Sequence, residues 1–212
     1  MVRVIAVETS TVRASVALTE EDRGLVFRRE FEARARLSRN LWPALTALEA
    51  EAWPLREADL VAVAGGPGSF TGIRVGLAAA KGLAFVTGVP VVAVSSLAAV
   101  AAQAGTEGSV VAVLDARGGL YYYAAYRVAP AGVEELLPPA LGTTAEIAAL
   151  PYDTYAGPGA APAAWPDASA KTWLERWPDA VALARLGANT FRERGGDDLL
   201  TLRPTYLKGG QV

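Results

Sequence analysis

The chain contains no cysteine and no histidine. That double absence removes disulfides, thiolate nucleophiles, Ser-His-Asp triads and imidazole-held zinc or iron. Carboxylates, hydroxyls, lysine, arginine and backbone dipoles are what remain for chemistry. A surplus of positive charge is missing too. The formal net charge is −2, which gives no global basic footprint for nucleic acid. The opening MVRVIAVETS lacks a signal peptide's long apolar stretch and cleavage site. Charges or glycines interrupt each apolar run, so no membrane span is expected. A cytoplasmic location is the default expectation.

What is present is enough apolar material for a real core. Of 212 residues, 52% are hydrophobic, which suits one large domain or two small ones. Residues 2–7, 13–19 and 25–31 read as strands. Residues 37–51 read as a helix, with Leu37, Leu41, Leu45 and Leu48 at three- and four-residue steps. Pro43 falls near its start, where a missing N–H does little harm. A strand at 59–64, a helix at about 70–86, a strand at 90–94 and a helix at 95–104 follow. This order predicts a mixed α/β layer structure. After QAGTEGS (103–109) the opening pattern returns. VVAVLDARGG (110–119) is similar to VRVIAVETST (2–11), and YYYAAYRV (121–128) takes the place of RASVALT. Two related α/β halves are the expectation. LPPALGTT and AGPGAAPAAWPDASA are rich in Pro, Gly and Ala, and the second reads as a surface loop. A last helix fits 179–193.

The stretch GGPGSFTGIRVG (65–76) invites comparison with phosphate loops, and neither standard motif fits. A P-loop needs lysine after its last loop glycine, and here Ile73 follows Gly72. A dinucleotide fingerprint needs a third glycine where Thr71 stands. Gly65, Gly66 and Gly68 still allow a tight strand-to-helix turn, and Ser69 or Thr71 can cap the helix. Free N–H groups there attract an anion by about 1 kcal/mol when exposed. Gly66, Gly68, Ser69 and Thr71 are therefore the candidate anion or nucleotide residues, with Arg74 as the nearest cation.

The helix that follows contains Gly72, Gly76 and Gly82, each costing about 1 kcal/mol relative to alanine. Gly72, Gly76 and Ala80 fall four apart and share one face without side-chain bulk. Two readings stand: packing on the helix's own sheet, or a docking surface for a partner helix. With the leucine-faced helix 37–51 beside it, the second reading nominates Leu41, Leu45, Gly72, Gly76, Ala80 and Leu83 as a partner interface.

Several candidates have plainer explanations. Tyr121, Tyr122 and Tyr123 alternate faces on a strand, which leaves little for base stacking. Arg34, Arg36 and Arg39 suit a solvated helix entrance, or else a partner or RNA contact. Trp165, Trp173 and Trp177 are expected to anchor the Pro/Ala-rich region to its lobe. Lys81 fits an ordinary exposed helical position.

These residues resemble one family. VIAVETST (4–11), GGPGSFTGIRVGLAAAKGLA (65–84), PVVAVSSLAAVA (90–101), DARGGLYYYAAY (115–126) and PTYLK (204–208) are similar to bacterial TsaB (YeaZ) proteins. The resemblance implies the actin/hexokinase/Hsp70-like (ASKHA) duplicated α/β fold. The expected domains are an N-terminal lobe, 1–102, bearing the partner-binding helices, and a smaller, less regular lobe, 103–212. The last helix is expected to pack back on the first lobe. The implied role is a non-catalytic scaffold in making threonylcarbamoyladenosine beside the tRNA anticodon. The implied partners are the catalytic paralogue TsaD and the ATPase TsaE, with a homodimer when alone and tRNA met only through the complex. No cofactor is implied beyond weak ATP or ADP binding. In the paralogue two histidines four apart hold a metal. The matching positions are Ser96 and Val100, so no catalytic or metal residue is nominated. The family usually has Asp where Glu8 stands. Glu8 and Asp115 are expected to cap turn N–H groups. The rival readings are a small-molecule kinase of the same superfold and a metallopeptidase, the latter opposed by the missing His and Cys.

Overall fold

The computed structural model describes residues 2–33, 37–162, 165 and 171–207. Arg34 and Arg36 lie outside the described residues. Two five-stranded sheets form the frame. The first begins as an antiparallel meander of β1 (Arg3–Glu8), β2 (Arg13–Glu20) and β3 (Leu25–Glu32). Helix α1 (Leu37–Glu51) then leads to β4 (Leu60–Gly66), α2 (Phe70–Thr87) and β5 (Val91–Ser95). Strands β1, β4 and β5 run parallel, in the sheet order β3-β2-β1-β4-β5. A short helix, α3 (Ser96–Ala101), leaves this sheet.

The second half repeats the plan. It contains β6 (Gly108–Arg117), β7 (Leu120–Ala129) and β8 (Gly132–Thr143), then α4 (Thr144–Ala148), β9 (Thr154–Gly157) and β10 (Thr172–Glu175). The sheet order is β10-β9-β6-β7-β8, with β6–β7–β8 antiparallel and β6–β9–β10 parallel. Strand for strand, β6 to β10 reproduce β1 to β5. This is the duplicated ASKHA-like arrangement. Strand β8 runs through LPPALGT, where no element was expected. Pro138 and Pro139 are tolerated because β8 lies at the sheet edge, beside register shifts opposite Tyr123 to Tyr126.

Alternation along the strands sorts the side chains into three apolar layers. On the outer face of the first sheet, Ile5, Val7, Val61 and Val63 meet Leu41, Leu45 and Leu48 of α1 and Ile73, Leu77 and Leu83 of α2. On its inner face, Val4, Ala6, Ala62 and Val94 meet α5 (Ala180–Arg194). That same layer holds α3 against Val110, Ala112 and Leu114 of β6. Each half thus ends in a helix that packs on the other half's sheet. The third layer covers the outer face of the second sheet with α4, Tyr155, Trp165 and Trp173. Trp165 sits edge-on between Tyr155 and Trp173. Trp177 does not join them; its ring lies under the Arg13 guanidinium of the first half, at 5.1 Å. Tyr122 faces the inner layer, and Tyr121 and Tyr123 the outer one, as strand alternation requires.

Helix α2 corrects one expectation. It is long and apolar enough, by length and composition alone, to cross a membrane. Its inward face is instead part of the core just described, and it carries Arg74 and Lys81.

Candidate functional site

The glycine loop and the start of α2 are built against the β1–β2 turn. Ser69 donates its N–H to the Ser10 carbonyl at 2.7 Å, and its Oγ accepts the Gly72 N–H at 3.2 Å. Ser69 is therefore the helix cap, and Thr71 stands exposed one turn in. The Thr9 hydroxyl donates to the Gly72 carbonyl at 2.8 Å, deep in the structure. A methyl group added at Gly72 would strike the Thr9 carbonyl, and one at Gly76 would strike Thr9 Oγ1. Gly68 is held as closely by the Ser10 carbonyl. The side-chain-free face of α2 is thus spent on the chain's own first turn.

This overturns the interface expected from the sequence. Gly72, Gly76, Ala80 and Leu83 are buried inside the lobe, as are Leu41 and Leu45. Close approach of helix to turn explains Gly72 and Gly76 completely. The third glycine differs: nothing lies within 4 Å of a Cβ built at Gly82. It belongs to the exposed C-terminal part of the outward face, with Ala78, Phe85 and Val86, whereas Arg74 lies near the start of the helix beside Phe70. Phe85 and Val86 are 83% and 82% exposed, and on neighbouring α1 Trp42 is 45% exposed. The helix's own sheet gives no reason for apolar side chains as exposed as Phe85 and Val86.

The anion candidates fare no better as a phosphate cradle. The N–H groups of Ser69 and Gly72 already have acceptors within the chain. Gly66 (φ 103°) and Gly68 (φ 153°) serve the turn, and the Thr205 carbonyl crowds Gly66.

Glu8 ends β1 fully buried. Its Oε1 accepts both the N–H and the hydroxyl of Ser10, each at 2.5 Å, while Oε2 has no partner. Burial pushes its carboxyl up to about 7; the Ser10 bonds oppose the rise and the nearby Asp179 adds to it. The Ser10 N–H that a phosphate would use is thereby occupied. Asp115, the counterpart at the end of β6, is exposed and accepts the Arg117 N–H at 2.7 Å. Both acids cap turn N–H groups, one dry and one wet.

Between the halves lies a polar cleft of about 370 Å³. Arg28 Nε donates to Asp179 at 2.5 Å and Arg13 binds Glu30, while Arg176 spends its N–H groups on the Gln103, Ala104 and Glu175 carbonyls. Asp179 also caps α5 through the Val181 N–H. The cleft joins the two halves, with two of its arginines held by carboxylates and Arg176 held by backbone carbonyls.

A family model described as TsaD, tRNA N6-adenosine threonylcarbamoyltransferase, matches residues 31–172. The chain belongs to that family. Within it, the likeness is to TsaB (YeaZ) members. TsaB of Escherichia coli is 35% identical over 130 residues, covering 59% of this chain and 55% of the relative. TsaB of Haemophilus influenzae is 38% identical over 124 residues, covering 56% and 51%. The matches span little more than half the length of these curated relatives. Among solved structures, YeaZ from Pseudomonas aeruginosa superposes with a TM-score of 0.81 at 29% identity, over 98% of this chain and 100% of that one. A second P. aeruginosa structure, described as similar to peptidase YEAZ, gives 0.86 over the same shares.

The family implies a metal in its catalytic members, and the residues here do not fit one. Ser96 and Val100 are fully buried on α3, and valine has no ligand atom. Among the described residues no three His, Cys, Asp or Glu gather as a metal would require.

Proposed function

We propose that the chain is a non-catalytic subunit in the threonylcarbamoylation of tRNA, and that it works by pairing with a catalytic paralogue of the TsaD kind. The family match and the TsaB relatives support the pathway. The observation that carries the subunit role is the contrast within α2. Its inner face is sealed on Thr9, while its outer face presents Phe85, Val86 and Gly82 to solvent. Apolar side chains exposed this far, beside Trp42 of α1, are what a helix-on-helix interface needs. Ala78 and Gly82 keep that face low enough for a second helix to approach closely. The chain's own toolkit supports the same reading. Glu8 is occupied by Ser10, Arg13 and Arg28 of the cleft are paired with Glu30 and Asp179, and the paralogue's histidines are Ser96 and Val100 here.

On this reading the chain binds the paralogue through Trp42 of α1 and the C-terminal part of the outer face of α2, at Gly82, Phe85 and Val86, and holds it in its active arrangement. An ATPase of the TsaE kind joins the pair, tRNA is met in the complex, and a homodimer uses the same face when the paralogue is absent. The chain needs no nucleotide of its own. The test is reconstitution of threonylcarbamoyl transfer from the paralogue, the ATPase, unmodified tRNA and this chain. Product should form only when the chain is added. A full rate without it would refute the proposal.

A further inference from the structure

The exposed start of α2 contains a group that a protein–protein role does not use. Arg74 lies over the Phe70 ring, 3.7 Å from its centroid, and donates from Nε to the Tyr206 hydroxyl at 2.8 Å. The two rings are 5.5 Å apart and tilted by 31°. Phe70 is 55% exposed and Tyr206 47%. The C-terminal segment is tied down where it brings Tyr206 in: Asp197 bridges to Val91, and Thr205 donates its N–H to the Gly65 carbonyl at 2.8 Å. The three side chains come from segments 132 positions apart and meet on the surface, where burial alone gives no reason to gather them.

The stretches that supply these side chains hold charge of one sign. No Asp or Glu occurs from Leu60 to Thr106, nor anywhere after Asp198, while the same stretches hold Arg74, Lys81 and Arg203. Arg74 pairs with no carboxylate among the described residues, although the chain as a whole is acidic. Two half-open aromatic faces around an unneutralised guanidinium match the chemistry of single-stranded nucleic acid: rings stack on bases, and the guanidinium meets a base plane or a phosphate.

We infer that Phe70, Arg74 and Tyr206 form a contact for single-stranded RNA, which on the function proposed above is an unpaired stretch of the tRNA substrate. The contact is separate from the partner face, which lies toward the other end of α2 at Gly82, Phe85 and Val86. An acidic protein segment is the competing occupant, and the experiment separates the two.

The probe is an unmodified anticodon stem-loop RNA, titrated by fluorescence anisotropy into the full chain alone and into the chain with its catalytic paralogue. Arg74→Gln, Phe70→Ala and Tyr206→Ala should each weaken binding about tenfold. Arg74→Gln should also lower the salt-dependence slope by about one. Tyr206→Phe keeps the ring and should retain most of the affinity. Assembly with the paralogue, read by mass in the same samples, should be unchanged in all four variants. RNA titrations that all superpose on the wild type overturn the inference. So does loss of paralogue binding with RNA affinity intact, which would assign the cluster to a protein contact. If the wild-type chain fails to bind the paralogue at all, the partner reading fails, and the titration of the chain alone still decides this one.

Discussion

The two halves share a sheet and differ in what covers it. Both run meander, crossover, crossover, in the same strand order. In the first half the outer face is roofed by α1 and α2, of 15 and 18 residues. In the second, α4 has five residues, and no helix is described between β9 and β10. Aromatic rings close that face instead, Trp165 and Trp173 around Tyr155. The first roof has an inner side seated on its own sheet and an outer side that leaves Trp42, Phe85 and Val86 exposed. A duplicated sheet fixes the frame, while the layer added to one copy sets what the surface presents.

The sharpest way to break this comparison is to fill the gap between roof and sheet. Gly76→Leu should destabilise the fold by about 3 kcal/mol, because it drives a side chain into Thr9. Denaturant unfolding would show it, and an unchanged midpoint would mean that α2 does not seat on the β1–β2 turn.

The acids at the two strand ends give the next contrast. Glu8 holds its proton up to about 7 in the fold, against 4.5 for the ordinary group. Between those values the native state binds a proton that the unfolded chain has released. Stability is therefore full below about pH 4.5, falls as pH rises, and levels off above about 7. The total loss is about 3 kcal/mol at most. Glu8→Gln should flatten the profile. Asp115→Asn, at the matching but exposed position, should shift stability by less than about 0.5 kcal/mol. Melting curves across pH for the three proteins test this, and a wild-type profile that rises from pH 5 to 8 would contradict it.

A smaller effect joins the halves. Asp179→Ala removes both the cap of α5 and the acceptor of Arg28 Nε, at a cost of about 2 kcal/mol. Smallest of all, Gly82→Ala should stabilise the chain by up to about 1 kcal/mol, since its Cβ meets nothing. Gly72→Ala should do the opposite. Chemical melts of the pair compare the two faces of one helix directly.

Much of the fold could be read in advance where periodicity is long. The leucine spacing gave α1 as Leu37–Glu51, and the returning strand–acid–turn pattern announced the duplication. Strand β8 was hidden because its two prolines cannot donate to a sheet ladder, and only its edge position makes them tolerable. Strands β9 and β10, of four residues each, are too short to show a period. The burial of Gly72 and Gly76 was hidden for a different reason. Glycines four apart declare close contact without saying with what, and Thr9 is 63 residues away in sequence from Gly72. Likewise Tyr206 gives no hint in sequence that it will lie on Phe70.

If the Gly82–Val86 side of α2 grips the catalytic paralogue, as proposed, the solution mass of the two proteins mixed, with wild type and with Phe85→Glu, will show it. Phe85 is too exposed for this change to disturb the core. The wild type should run as a complex with the paralogue and Phe85→Glu as separate chains. A variant that assembles as firmly as the wild type would contradict the claim.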